Sequence, residues 1–369
     1  MKEIKNYCSV CGSEINSDDE TYGFEGQLMC SDCYDDNTLV CDCCGDRVLR
    51  SSAHSDGFID ICNDCFSNHY CRCSECDRLV HDDNTCFDNN EPYCDECFEK
   101  LDSGKNIHEY SYKPETIFYG EDSNRYFGVE LEIDGAYDAD DKESDAGVLL
   151  DIGNEDAEHI YIKNDGSLND GMEIVTHAMT LDYHKNSFCW RKLTRKAVGL
   201  GYRSHQVSTC GLHVHVNRNS LAESSDEQEI IISRILYFIE MHWNEIAKFS
   251  RRTEESLNHW AGRHGYEPSP EAIMDKAKKD CNRYKAVNLC NFHTIEFRIF
   301  KGTLKYNTII GTLEFVNQIC EKAVELNDDE IGRMSWSEFV TGITEPELIQ
   351  YLKERDLYIN EKIYVEEEI

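Results

Sequence analysis

Long apolar runs are absent from this sequence of 369 residues, which has no stretch near the ~20 apolar residues of a membrane-spanning helix. That absence excludes an integral membrane protein. The first residues, MKEIKNYC, are charged and polar where a secretory signal needs an apolar stretch, so we expect no export. We therefore expect a cytoplasmic protein in a reducing compartment, without a membrane partner.

Positive charge is also scarce. The chain has 37 Lys and Arg against 72 Asp and Glu, which gives a formal net charge of −35. A surface of this sign repels phosphate backbones, and no basic patch interrupts it. The sequence therefore argues against nucleic acid as a partner.

Cysteine, in contrast, is abundant and unevenly distributed. Of the 20 cysteines, 15 lie in the first 97 residues. Such density is typical of secreted disulfide scaffolds, but in a reducing compartment it indicates metal binding. The first 110 residues are also acidic, with 8 basic and 25 acidic side chains. We therefore expect protein-binding zinc-ribbon or treble-clef modules rather than DNA-binding fingers.

These cysteines form three repeats, each made of two Cys-x2-Cys pairs with 18, 17 and 17 residues between the pairs. Each pair offers two thiolates from one tight turn, and zinc takes four such ligands at tetrahedral corners. The spacing predicts three structural zinc sites, in modules at 8–33, 41–65 and 73–97. Four thiolates leave no open position for catalysis. The predicted ligands are Cys8, Cys11, Cys30 and Cys33; Cys41, Cys44, Cys62 and Cys65; and Cys73, Cys76, Cys94 and Cys97.

Spacing alone leaves the pairing of these ligands open. Sequential pairing within each repeat is favoured over an interleaved set that joins Cys30 and Cys33 to the pair at 41–44. Modules of this size have little core of their own, so zinc is expected to supply their folding energy. Unassigned cysteines and possible substitute ligands are Cys43, Cys71, Cys86, His54 and His81.

Cysteines become sparse after Cys97, which marks a boundary. Residues 101–123 have the composition of a polar linker, and residues 124–326 alternate short strands, glycine turns and amphipathic helices. One of these helices should begin at Ser224 or Ser225, where a capping-box pattern occurs. Residues 327–369 indicate a helical tail.

Four short segments of the larger domain alternate apolar and polar residues, the period of a half-buried strand. A single segment of this kind is explained by an ordinary half-solvated sheet. Together they carry an unusual set of acids and imidazoles, which repels itself unless divalent cations neutralise it. Oxygen-dominated ligation favours Mg2+ or Mn2+, and two cations bridging nucleotide phosphates account for this many acids. The polar positions are Glu130 and Glu132, Glu173, His213 and His215, and Glu296 and Arg298.

Two loops add polar candidates that also have simpler explanations. Asp165 and Ser167 belong to an Asn-Asp-Gly-Ser turn signal. Arg283 precedes the last of the four strands and is either a surface residue or a phosphate contact, for which its planar fork is suited.

These segments together resemble the amidoligase family, carboxylate–amine ligases related to glutamine synthetase and γ-glutamylcysteine ligase. The resemblance covers residues 124–326 and leaves the cysteine-rich head outside. It departs from the family at Ala178, where a proline is frequent, and in an acidic insert at 137–158. The motifs, in order, are Phe127-Gly-Val-Glu-Leu-Glu132, Asp165-Gly-Ser-Leu168, Gly171-Met-Glu-Ile-Val-Thr176, Gly211-Leu-His-Val-His215, Tyr284-Lys-Ala-Val-Asn288 and Thr294-Ile-Glu-Phe-Arg298 with Gly302-Thr303.

The resemblance implies an α+β fold in which a curved antiparallel sheet binds ATP and divalent metal on its concave face and carries helices on its convex side. It implies that Arg298 faces the transferred phosphoryl group, that Arg283 contacts phosphate, and that Asp165 and Ser167 belong to the substrate-side loop. The metal ligands it implies are Glu130, Glu132, Glu173, His213 and Glu296, with His215 as a further site residue.

The implied activity is an ADP-forming carbon–nitrogen ligation. ATP phosphorylates a carboxylate, an amine attacks the acyl phosphate, and an amide or isopeptide forms; the zinc modules recruit a protein partner or substrate. Two alternatives stay open: a catalytically silent zinc-stabilised adaptor, and a metal-dependent hydrolase that uses the His-x-His pair. The sequence identifies neither the carboxylate donor nor the amine acceptor.

Overall fold

The computed structural model describes residues 6–15, 21–24, 26–88, 90–102, 105–135, 141–280 and 282–358. The chain divides into two compact units, Met1–Gly104 and Lys105–Ile369. No helix in the described ranges combines the length and the apolar character needed to cross a membrane.

The first unit repeats one local pattern three times: a hairpin around the first cysteine pair, a second hairpin, and a short helix that starts at the second pair. All of its strand pairs are antiparallel. Its elements are β1 (Asn6–Tyr7), β2 (Glu14–Ile15), β3 (Thr21–Phe24), β4 (Gln27–Cys30), α1 (Ser31–Asn37), β5 (Thr38–Val40), β6 (Arg47–Leu49), β7 (Ala53–Ser55), β8 (Asp60–Cys62), α2 (Asn63–His69), β9 (Tyr70–Arg72), β10 (Leu79–His81), β11 (Cys86–Asp88), β12 (Glu91–Tyr93) and α3 (Asp95–Asp102).

The second unit contains one large sheet and most of the helices, so the predicted α+β class is confirmed. Its elements are β13 (Phe118–Tyr119), β14 (Tyr126–Ile133), α4 (Lys142–Gly153), β15 (Ile160–Lys163), β16 (Met172–Thr176), β17 (Ala178–Thr180), α5 (Leu181–Asn186), α6 (Trp190–Gly199), β18 (Gly211–Asn217), α7 (Ser225–Met241), α8 (Trp243–Ser250), α9 (Glu254–Trp260), α10 (Pro270–Lys279), β19 (Val287–Asn288), β20 (Thr294–Lys301), α11 (Tyr306–Glu325), α12 (Asp328–Ile331), α13 (Trp336–Thr341) and α14 (Pro346–Glu354).

In the described part of the chain the sheet has eight strands, with β14 near its centre. Along one edge β14 pairs with β16 and then β17, and along the other it pairs with β18, which is followed by β20 and β19. These pairs are antiparallel, as the resemblance implies. The sheet is nevertheless mixed, because β13 pairs in parallel with β17.

One face of the sheet is apolar and packs against the helices in a single core. In β14 the alternation expected from the sequence buries Phe127, Val129 and Leu131 on this face. The long helix α7 begins as predicted, since Ser224 accepts a hydrogen bond from the Glu227 amide. The opposite face of the same strands is left for polar side chains.

The sequence predicts a polar linker at 101–123, but in the structure the part of this segment from Lys105 onwards belongs to the second unit. Ile107 is buried in the core, the His108 amide donates to Ile162 O at 2.8 Å, and Phe118–Tyr119 forms β13. One buried side chain and backbone hydrogen bonds hold this segment, and neither leaves a periodic pattern in the sequence. The tail likewise joins the second unit, because Trp336 and Leu348 are buried in its core.

The acidic insert at 137–158 contains a helix that the sequence did not reveal. Helix α4 starts after Asp141, whose side chain accepts a hydrogen bond from the Ser144 amide. The helix buries Ala146 and Leu149 in the core of the second unit. Surface acids around these two positions obscure its apolar side in the sequence.

Candidate functional site

Strand pairing brings the predicted acids and histidines of the second unit together. Side chains of directly opposite residues in a sheet share a face, and here that face is the polar one. The register sets three pairs of predicted residues opposite one another: Glu130 and His213, Glu132 and Glu173, and His215 and Glu296.

The resulting cluster contains two sets of three possible ligands that share His213. In the first set, His213 Nδ1 lies 3.0 Å from Glu130 Oε2 and 3.7 Å from Glu296 Oε1. In the second set, His213 Nε2 lies 3.8 Å from Glu132 Oε1, and Glu173 completes the set. Within each set the ligand atoms lie within 4.8 Å of one another.

Burial and neighbouring charges shift the pKa values of the glutamates in this cluster. Burial raises the pKa of Glu132. Burial together with the charge of Glu130 raises the pKa of Glu173 well above its ordinary value. Burial also opposes the charge of Glu130, but His215 and His213 hold the pKa of Glu130 well below the ordinary range. Burial, and for Glu173 also the charge of Glu130, therefore disfavours the ionised carboxylates of Glu132 and Glu173.

A divalent cation fits this arrangement. Glu173 Oε2 is buried and accepts no hydrogen bond from the described residues, although Lys163 Nζ lies 3.3 Å away as an ion pair. The donor set is carboxylate oxygens with one imidazole, which suits Mg2+ or Mn2+ better than zinc.

Three side chains donate hydrogen bonds to the carboxylate of Glu296. Its Oε2 accepts hydrogen bonds from Asn288 Nδ2 at 2.7 Å and Asn291 Nδ2 at 3.3 Å, and its Oε1 accepts from Arg298 Nη1. Burial lowers the pKa of Arg298, but the charge of Glu296 outweighs it and raises that pKa. Asn288 stands in a motif of the family resemblance, but its bond to Glu296 depends on the pairing of β19 with β20, which the sequence does not reveal.

The other predicted site residues fall into two groups. Asp165 lies close enough to the cluster for its charge to raise the pKa of both Glu132 and Glu173, and it accepts a hydrogen bond from the Ser167 amide at 2.7 Å. Arg283 lies outside the carboxylate cluster. It is exposed, and its Nη1 donates to Tyr110 Oη at 2.7 Å.

Lys163 is a site residue that the sequence analysis missed. It is buried directly opposite Glu173, and the Tyr110 ring lies 5.5 Å from its ammonium group. Burial opposes its charge, but Glu173 raises the pKa of Lys163. The alternation Ile160-Tyr-Ile-Lys163 is a possible strand signal, yet it does not reveal that this strand borders the acids.

A cleft of about 1220 Å3 reaches the cluster at Glu130 and His215. Its lining includes four Phe and Tyr side chains, Phe118, Tyr126, Tyr161 and Phe292, of which Phe292 is 86% exposed. A space of this size with aromatic walls and an acidic end has room for a nucleotide-sized ligand.

In the first unit, each predicted set of four cysteines converges, with sulfur atoms within 4.8 Å of one another. The pairing is the sequential one. His54 stacks on Phe66 and His81 Nδ1 accepts a hydrogen bond from the Asp83 amide, so neither belongs to a set. The three sets are Cys8, Cys11, Cys30 and Cys33; Cys41, Cys44, Cys62 and Cys65; and Cys73, Cys76, Cys94 and Cys97.

The thiols of these sets differ in acidity because their neighbours differ. Hydrogen bonds from the backbone amides of Cys11 and Cys30 lower the pKa of Cys8 to about 6. The neighbouring thiol of Cys11 and burial raise the pKa of Cys33. Four thiolates this close repel one another without a metal, and four sulfur donors suit zinc.

Comparison with known proteins gives one family match. A family model described as "Putative amidoligase enzyme" matches residues 105–320. No curated protein matches the sequence. Among 18 matching chains of solved structures is a bifunctional glutathione synthetase from Pasteurella multocida, with 13% identity and a TM-score of 0.34. That match covers 63% of this chain and 46% of the other, so it spans less than half of that protein's length.

Proposed function

The chain belongs to the amidoligase family, and from that premise we propose that it is an ATP-dependent, ADP-forming ligase that joins a carboxylate to an amine. The observation that carries the proposal is the cluster of four glutamates and two histidines at the end of the cleft. Buried carboxylates that repel one another cost folding free energy. A protein with only an adaptor role has no use for them.

In this proposal two divalent cations occupy the cluster. Glu130, His213 and Glu296 would hold one, and Glu132 and Glu173 would hold the other. A neutral imidazole has one free nitrogen lone pair, so His213 ligates one set at a time. We assign it to the first set, because Glu130 also lines the cleft. Such cations, when bound, neutralise and orient phosphate oxygens.

We place ATP in the cleft on what would be the concave face of a curved sheet. The base would lie against the aromatic walls, and the phosphates would point to Glu130 and His215. The donor carboxylate would then approach from the opposite end of the cluster, where Asp165 and Ser167 form their turn near Glu132. This arrangement sets donor and phosphoryl group on opposite sides of the cluster.

The proposed reaction has two steps. A donor carboxylate oxygen attacks the γ-phosphorus, the bond to the β–γ bridging oxygen breaks, and ADP leaves. The amine then attacks the acyl carbon, inorganic phosphate leaves, and the nitrogen loses its surplus proton. Arg298, oriented by Glu296, is positioned to stabilise charge on the transferring group. In this proposal Arg283, whose Nη1 donates to Tyr110 Oη, is a further phosphate contact.

In this proposal three zinc ions stabilise the fold of the first unit. The surface of that unit recruits a protein partner or substrate. Tethering such a surface to the second unit raises the partner's effective concentration near the site. Removal of the first unit should therefore lower turnover on a protein partner while Mg-ATP binding persists.

Nucleotide binding tests the proposal. Calorimetry with Mg2+ and ATP should show binding to the unsubstituted chain, and Glu130→Ala and Glu296→Ala should each weaken it by more than the roughly 10–100-fold that outer partners of a metal ligand cost. Glu271→Ala, at an exposed position of α10, is the matched control and should bind normally. Equal binding by all four proteins would refute the site.

Product analysis separates the proposal from the two alternatives. A ligase of this kind sustains ADP release over many turnovers only when ATP, a carboxylate and an amine are present together. A hydrolase cleaves its substrate without ATP, and a silent adaptor releases no product. ATP-independent hydrolysis that Glu296→Ala abolishes would favour the hydrolase.

A further inference from the structure

A second arginine, Arg252, lies beside the carboxylate cluster on the loop between α8 and α9. Two nitrogens of its guanidinium are anchored to the protein. Nε donates to Phe300 O at 3.3 Å, and Nη1 donates to Ser256 Oγ at 3.1 Å. These bonds orient the planar group and leave Nη2 as its free edge.

The Nη2 atom points over β18 at Gly211. A Cβ atom built on Gly211 would lie 2.6 Å from Arg252 Nη2 and 2.6 Å from His213 Nε2, so the two nitrogens are separated by no more than twice that distance, 5.2 Å. The Gly211 amide also donates to Glu132 Oε2. The missing side chain at 211 thus leaves room for the guanidinium next to the second ligand set.

Arg252 carries a positive charge without a carboxylate partner. Within the described ranges no carboxylate oxygen lies within the 4.0 Å of an ion pair, whereas Arg298 and Arg263 pair with Glu296 and Glu240. Burial lowers the pKa of Arg252 to about 10, and the charge of Glu132 only partly opposes this. An unpaired, partly buried guanidinium is unfavourable unless an anion joins it.

The backbone before Arg252 is strained. Arg251, the residue that follows α8, has φ +65°, in the left-handed region that is unfavourable for a non-glycine residue. Its side chain holds this turn, since Nη2 donates to Lys301 O at 2.8 Å. The turn directs the next residue, Arg252, towards the sheet.

We propose that Arg252 contacts the phosphoryl group while it passes from the nucleotide to the donor carboxylate. Arg252 reaches this group from the loop after α8, on the side of Glu132, and Arg298 reaches it from β20, on the side of Glu296. The proposal rests on the proposed ligase function. Two planar forks of this kind suit the three equatorial oxygens of a transferring phosphoryl group.

Nucleotide complexes of the full chain test this role. The probes are Mg-ADP alone and Mg-ADP with fluoroaluminate, which imitates the transferring group. Arg252→Ala should leave Mg-ADP affinity within about threefold and weaken the fluoroaluminate complex by roughly 100-fold, the effect of removing one donor to developing charge. Arg252→Lys should restore part of the loss, because it keeps the charge without the fork.

Two further variants control for folding. Arg195→Ala removes an exposed arginine of α6 and should change neither affinity. Ser256→Ala removes the oxygen that orients Nη1 but keeps the guanidinium, so it should cause a smaller loss that is confined to the fluoroaluminate complex. The Ser256 variant decides the question if Arg252→Ala does not fold.

The outcomes separate the two proposals. Equal losses for both probes, or no loss for either, would overturn the role of Arg252 while the ligase function stands. If the unsubstituted chain does not bind Mg-ADP, the ligase function fails, and the role of Arg252 fails with it.

Discussion

The helices of the two units begin with different kinds of residue, and this difference reflects how each unit is held together. In the first unit α1 and α2 are preceded by Cys30 and Cys62, which belong to the four-cysteine sets, and Cys62 Sγ accepts a hydrogen bond from the Cys65 amide. In the second unit hydroxyl side chains such as Ser224 and Thr253 cap helices, and neither belongs to the carboxylate cluster. In the first unit the predicted zinc ligands therefore also begin the helices. In the second unit the residues that cap the helices and the carboxylates of the candidate metal site are different residues.

Their cores differ in the same sense. Within the described residues, each apolar cluster of the first unit has three or four buried members, several of them cysteines. The second unit buries one continuous core between its sheet and helices, and its carboxylates lie on the other face of the same strands. Metal should thus be a condition of folding in the first unit and a condition of function in the second.

Metal removal should produce the largest contrast between the units. A strong chelator should unfold the first unit, because structural zinc supplies about 10–16 kcal/mol in small modules. The second unit should stay folded. All four tryptophans lie at or beyond residue 190, so their fluorescence reports the second unit alone. Amide exchange of residues 6–102 reports the first.

The metal content is part of this prediction. Three zinc ions should be released per chain. A content near one, or a native protein with twelve reactive thiols, would contradict it. Cys43→Ser is a matched control, because Cys43 lies outside the sets and its loss should leave three ions.

The boundary between the units can be tested by truncation. A fragment from Lys105 should fold and bind Mg-ATP. A fragment from Arg125, one residue inside the larger domain predicted at 124–326, lacks Ile107 and β13. It should lose at least the roughly 2–5 kcal/mol that truncating one buried aliphatic side chain costs. Urea unfolding followed by tryptophan fluorescence compares the two fragments. Equal midpoints would show that residues 105–124 add nothing to the fold.

Two neighbouring residues of β14 should separate fold from site within the second unit. Leu131 is buried in the core, so Leu131→Ala should lower the free energy of unfolding by about 2–5 kcal/mol. Glu132→Gln removes a carboxylate from a self-repelling cluster, so the metal-free protein should be no less stable. Mg2+ binding should be weakened by Glu132→Gln much more than by Leu131→Ala. Loss of stability in both variants would mean that the acidic face also supports the fold.

The smallest predicted effect is a pH dependence of the second unit that involves no metal ligand. His184 is buried; its Nε2 donates to Phe127 O at 3.0 Å and its Nδ1 accepts from Trp190 Nε1 at 3.2 Å. Burial lowers the pKa of His184 to about 4, below its value in the unfolded chain. The folded state then binds fewer protons, so stability is complete above pH 6.5 and falls as the pH drops towards 4.

The expected loss is about 2 kcal/mol between pH 7.5 and pH 5. In His184→Gln the free energy of unfolding should fall less between these two pH values, by this same amount. Urea unfolding followed by tryptophan fluorescence measures it. Histidines elsewhere titrate in both proteins and cancel in the comparison. An unchanged decrement would mean that His184 is protonated in the folded protein.

Local periodicity made much of this protein predictable. The repeat of cysteine pairs predicted three four-thiol sets, and alternation in β14 predicted that Glu130 and Glu132 share a face, because both patterns depend on neighbours within one segment. The carboxylate cluster was predicted from the alternation of four strands and again from the resemblance, and the strand register brings its members together. The segment 101–123 was predicted as a linker because its attachments to the second unit, which include Ile107 and backbone hydrogen bonds, produce no periodic pattern in the sequence.

The sequence by itself determined which side chains can share a turn or a strand face, since a tight turn and a pleat follow from local geometry. Only the tertiary structure decided which strands are neighbours. It placed Lys163 against Glu173, Asn288 against Glu296, and Arg252 over Gly211 beside His213. Each of these contacts joins segments whose meeting depends on packing of the whole sheet and its helices, and such long-range pairing leaves no local signal in the chain.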